Sequence, residues 1–108
     1  MYITWKKDIY LFPIALMDSN PGNFDLAVTN NGDADVSILL GNGDGTFGPK
    51  TDFPTGINPG SVAVGFFNAD SNLDLVVANR ADDDVSILLG NGDGTFGPKT
   101  DFPTENGP

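Results

Sequence analysis

A chain of 108 residues with 15 acidic and 5 basic side chains carries a net charge of −10, and such a chain lacks the basic patches that nucleic acid and anionic lipid require. It contains neither cysteine nor histidine, which removes disulfides, thiolate metal sites and the commonest general base. No run of residues approaches the roughly 20 apolar positions of a membrane span, so membrane insertion is not expected. Except for Glu105 the acids are aspartates, a residue suited to turns and to oxygen-ligand cation sites, whereas glutamate suits helices.

In chain order, residues 1–8 form an atypical lead-in. Lys6 and Lys7 precede an apolar stretch, but Asp8 and Pro13 interrupt it and no small-residue cleavage site follows, so it is no clear signal peptide. Ile9–Met17 is predicted to be a first strand, with Pro13 confined to an edge or bulge. A polar loop is expected over Asp18–Asp25, a second strand from Leu26 and a turn over Asn31–Asp35. The third strand, from Val36, directs Val36, Ile38 and Leu40 to one face and Ser37 and Leu39 to the other, so both faces are largely apolar and material is expected on both sides. The turn Gly41–Thr46 supplies glycines and an Asn-Gly pair, a strong hairpin signal. The fourth strand, Thr46–Thr55, carries Pro49 and Pro54, which mark an outer edge.

The chain then repeats itself. Asp35–Thr55 recurs unchanged as Asp84–Thr104, which is 21 identical positions at an offset of 49. The preceding segments correspond more loosely, with Pro59–Phe67 as first strand, Asn68–Asp74 as loop and a second strand from Leu75. A repeat of this size is a supersecondary unit that buries its apolar faces only by stacking on others. Four antiparallel strands per unit, two apolar faces and no helical periodicity predict an all-β chain of two four-stranded antiparallel β-propeller blades, a partial propeller, with blade 1 at 9–55, blade 2 at 56–104 and a tail at 105–108. A sandwich would give the identical segments different environments, and a parallel solenoid does not use hairpin turns. Closure takes about four to eight blades. It is expected either from other blades of the same parent chain, as the end of the pattern at Thr104–Pro108 suggests, or from a homo-oligomeric ring.

These residues resemble the FG-GAP, or VCBS, repeat family, whose pattern runs VAVGDFNGDG, DLAVAN, VSVLLGNGDGTF. Here VAVGFFNADSNLDLVVAN (Val62–Asn79) is followed by DVSILLGNGDGTF (Asp84–Phe96), and the similarity covers roughly residues 14–104. The resemblance implies blades like those of integrin-alpha propellers and bacterial surface proteins. It further implies a calcium loop, D-x-[DN]-x-D-G-x-x-D, between the first two strands. In blade 2, Phe66 replaces the first Asp and Ser71 the Gly, while Asn68, Asp70 and Asp74 match and Asn72 offers its carbonyl. In blade 1, Asp18, Asn20 and Asp25 match if one residue is deleted near Pro21. Each loop thus lacks a carboxylate, and weak calcium binding is the expectation, since affinity follows ligand charge. The alternative is that Asp and Asn only shape the turns through Asx-type bonds.

The function implied is a non-catalytic binding or adhesion module, extracellular or at the cell surface, with a protein or carbohydrate ligand. The alternatives are a purely structural scaffold, or part of a propeller enzyme whose catalytic residues lie outside this chain. The GNGDG turns are not followed by a helix and do not form a phosphate loop. Asp82, Asp83 and Asp84 either join Asn79 around a cation or form a solvated loop. Tyr2, Trp5 and Tyr10 offer rings for a sugar or for a neighbouring blade, and Phe47, Phe53, Phe96 and Phe102 are expected to pack between blades.

Overall fold

A computed structural model describes residues 14–20, 23–68 and 70–106, apart from the side chains of 17–20. Each repeat folds as an antiparallel meander. Strands β1 (Ile14–Asn20), β2 (Asn23–Asn30), β3 (Asp35–Leu39) and β4 (Thr51–Pro54) form one sheet in sequence order, and β5 (Pro59–Gly65), β6 (Asp74–Asn79), β7 (Asp84–Leu88) and β8 (Thr100–Pro103) form the second. The described residues contain no helix, as the unbroken succession of short apolar runs and turns requires. Both sheets are propeller-type blades with the proline-bearing strand at the edge, as predicted. The lead-in, Tyr2, Trp5, Tyr10 and the start of the predicted first strand lie outside the described residues.

Two predicted boundaries move. The polar segment expected to be a loop over Asp18–Asp25 is largely a hairpin, because backbone pairing continues through Met17 with Asp25 and Asn20 with Asn23. A ladder satisfies backbone N–H and C=O whatever the side chains, so polar composition at a hairpin end does not preclude it. The fourth strand is shorter than expected. Gly41 bridges Phe47 and Gly48 donates to the carbonyl of Leu40 at 2.9 Å, but pairing resumes only at Thr51 because Pro49 has no N–H to offer. The one-residue deletion in blade 1 is present: Ala15 pairs with Ala27, whereas its equivalent Ala63 pairs with Val76, one residue further along the repeat.

The register sorts the side chains of each sheet into two faces, since cross-strand partners share a side. In blade 1 one face carries Ala15, Ala27, Val36, Ile38 and Phe53, and the other Leu16, Leu26, Val28, Ser37, Leu39 and Asp52. In blade 2 the corresponding faces carry Ala63, Val76, Val85, Ile87 and Phe102, and Val62, Leu75, Val77, Ser86, Leu88 and Asp101. The first face of blade 1 packs on the second face of blade 2. Ala15, Ala27, Val36 and Ile38 join Val62, Leu75, Val77, Leu88 and Phe96 in a single buried core, with Leu40, Phe53, Val64 and Leu73 against it. Phe53 meets Phe96 edge to face at 5.6 Å between ring centroids. The predicted packing of phenylalanines between blades is therefore met by Phe53 and Phe96, while Phe47 and Phe102 remain exposed.

Candidate functional site

The aspartates expected to bind calcium occupy two unlike settings. Asp70 lies on the exposed loop between β5 and β6, where one carboxylate oxygen accepts the Asn72 N–H at 3.1 Å and the other the Asn68 side-chain amide at 3.2 Å. This is an Asx-type turn. Asp74, at the start of β6, is 0% exposed. Its oxygens accept the N–H of Phe67 and of Gly90, each at 2.9 Å. The side chain thus fastens its own loop to the GNGDG turn.

Blade 1 repeats the second fastening. Asp25, also fully buried, accepts the Gly41 N–H at 2.8 Å. The glycines at these points are required by close approach, because a Cβ on Gly41 would lie 2.1 Å from the Phe24 carbonyl oxygen and one on Gly90 2.0 Å from that of Leu73. Beside them the Asn23 and Asn72 side chains lean over Gly43 and Gly92. Asp18 and Asn20 fall on β1, with their side chains outside the described set. Among the described residues no group of three or more acidic side chains is placed to hold a metal ion. The donors that stand together and open to solvent are Asn68 and Asp70, with the Asn72 carbonyl within the same loop. Fewer ligands converge there than the six to eight oxygens a calcium ion takes.

The GNGDG turns are held internally. Asp44 accepts both the hydroxyl and the N–H of Thr46, at 2.6 and 3.0 Å, and Asp93 does the same with Thr95. These hydrogen bonds, from the hydroxyl first and then the N–H, hold both carboxyls below their ordinary value of 3.8. At the edge strands Lys50 pairs with Asp52 and Lys99 with Asp101. Those ion pairs, followed by the hydroxyls of Ser37 and Ser86, lower the Asp52 and Asp101 carboxyls.

A second cluster, expected from the sequence to be solvated or to hold a cation, instead ties the linker between the blades to the turn after β6. The linker from β4 to β5 donates its Gly56 N–H to the Asn79 side-chain oxygen at 3.1 Å and its Ile57 N–H to Asp82 at 2.8 Å. Asn79, fully buried, also donates to Asp84 and Ser86, both at 2.8 Å. The Arg80 and Ala81 N–H groups return to the Asn58 and Ile57 carbonyls at 3.0 and 3.3 Å. The signal was available in the recurrence of Asn30 at Asn79, 49 positions on. An open cleft of about 350 Å³ lies at this junction, lined by Asn31, Asn58, Arg80 and Ala81. Arg80 is exposed, and among the described residues it enters no salt bridge.

The FG-GAP-like repeat matches residues 20–77. The chain belongs to that family. The matched segment begins at the end of β1, takes in the rest of blade 1 and the linker, and ends within β6, so it includes Asp25, Asp70 and Asp74. FG-GAP repeats are propeller-type modules and generally non-catalytic. No curated protein and no solved structure matches the chain.

Proposed function

We propose that this FG-GAP repeat chain is a non-catalytic binding module, of the cell-surface adhesion type, that takes a protein or carbohydrate ligand in the cleft formed by Asn31, Asn58, Arg80 and Ala81. The observation that carries the reading is the cleft itself. It lies on loops at the junction of two rigid sheets, where propeller-type scaffolds leave sequence free to vary, and it combines amide groups with the one arginine of an acidic chain. The non-catalytic reading is supported by the aspartates, whose buried members serve backbone N–H groups in matched pairs. The test is a screen of the wild-type chain and the Arg80→Ala variant against glycan and peptide arrays. A ligand bound by the wild type and lost in the variant is expected, whereas equal retention by both proteins places binding elsewhere.

Within this reading the β5–β6 loop takes calcium weakly through Asp70, Asn68 and the Asn72 carbonyl, while Asp74 remains on Phe67 and Gly90. Calorimetric titration with calcium chloride should give a weak isotherm that Asp70→Asn abolishes. A flat isotherm for the wild type favours the structural reading, which the Asx-type bonds of Asp70 also support.

A further inference from the structure

The two copies of the 21-residue segment are a controlled comparison, because the residues are the same and only their surroundings differ. Leu40 packs on the core and lies beside Gly94, whereas its equivalent Leu89 is 41% exposed. Phe53 is covered by Phe96, whereas Phe102 is 52% exposed. On the opposite side Phe96 is 6% exposed and its equivalent Phe47 39%. Gly94 touches Leu40, whereas Gly45 has nothing within 4 Å of its Cβ position. Each bare residue of blade 2 thus matches a residue that blade 1 uses in the interface between the blades. Each bare residue of blade 1 matches one that blade 2 uses there.

We infer that a second copy of this chain docks head to tail, with the Val76, Ile87, Leu89 and Phe102 face of one copy seated on the Leu26, Leu39, Phe47 and Gly45 face of the next. Such a contact continues the interface already inside the molecule. A surface that fits a neighbour in one place fits the same neighbour again where sequence and backbone recur. In the repeated contact Leu89 lies over Gly45 and Phe102 meets Phe47 edge to face, as Leu40 does with Gly94 and Phe53 with Phe96. The interface is heterologous, so it propagates until a ring closes. Every copy carries a charge of −10, and mutual repulsion is screened over about 8 Å at physiological ionic strength. Association therefore strengthens with added salt.

Two surface variants test both the contact and its polarity. Leu89→Asp disables only the outer face of blade 2 and Phe47→Asp only that of blade 1, and each side chain is already partly in solvent. The masses of the full chain and both variants are measured by light scattering and sedimentation in salt, with circular dichroism to confirm that the sheets are retained. The wild type should be larger than a monomer and each variant alone a monomer. Their mixture should give a one-to-one dimer, since it contains one intact pair of faces and no way to extend. A monomeric wild type overturns the proposal and assigns both faces to sheets from elsewhere. A variant that still associates alone, or a mixture of folded variants that stays monomeric, overturns it as well. Should either aspartate variant lose its sheet signal, Leu89→Ser and Phe47→Ser replace them with the same outcomes required.

Discussion

Replacing Asp74 by asparagine tests whether the carboxylate carries structure. The side chain is fully buried and accepts the Phe67 and Gly90 N–H groups at 2.9 Å each. Hydrogen bonds to an ionised group contribute about 1.5–3 kcal/mol apiece. The amide of asparagine keeps one acceptor oxygen but turns its own N–H toward the second donor, so one bond is lost and a buried donor is left unsatisfied. The expected cost is about 2–4 kcal/mol, a substantial part of the roughly 5–15 kcal/mol available to a domain. Asp74→Ala should cost more. Asp70→Asn, on an exposed loop with local bonds only, should stay within about 0.5 kcal/mol. Urea unfolding of the four proteins in the presence of chelator, followed by circular dichroism at one chain concentration, compares midpoints at constant slope. A wild-type midpoint for Asp74→Asn, or an Asp70→Asn variant as unstable as Asp74→Asn, would refute the reasoning.

Gly94→Ala and Gly45→Ala impose similar backbone strain, since the residues have φ of 91° and 92°, but only the former drives a Cβ to 2.7 Å from a Leu40 methyl. In the Leu89→Asp background Gly94→Ala should be the less stable by about 1 kcal/mol or more, as overpacking typically costs; equal denaturation midpoints would mean that the blades do not meet as described. Acid should destabilise the fold. The Asp44, Asp52, Asp93 and Asp101 carboxyls titrate below their ordinary 3.8 in the folded chain, so their contribution is complete above that value and is lost as pH falls through the lowered values. Unfolding midpoints should drop below about pH 3.8, and less steeply once Asp44 and Asp93 are asparagine; a midpoint that keeps rising there contradicts the assignment.

Of the candidate site, the sequence disclosed the residues but not their employment. Asn68, Asp70, Asn72 and Asp74 stand at spacings that suit either a cation or a turn, and both chemistries use the same oxygen atoms. Asp74 is committed by Gly90, 16 residues away, a partner that local spacing does not reveal. Asn79 and Asp82 read as a polar turn for the same reason, because the linker N–H groups they accept arrive from 23 and 25 residues earlier.

The sequence by itself determined the meander, the edge position of the proline-bearing strands and the equivalence of the two sheets, because alternation, Asn-Gly turns and missing proline N–H groups act over a few residues. It also set the division of each strand into two apolar faces. Identical segments have identical local preferences, so nothing within them distinguishes Leu40 from Leu89 or Phe96 from Phe47. Only the tertiary structure decided which face is covered, since burial depends on the neighbour that stands against a residue and the two blades have different neighbours.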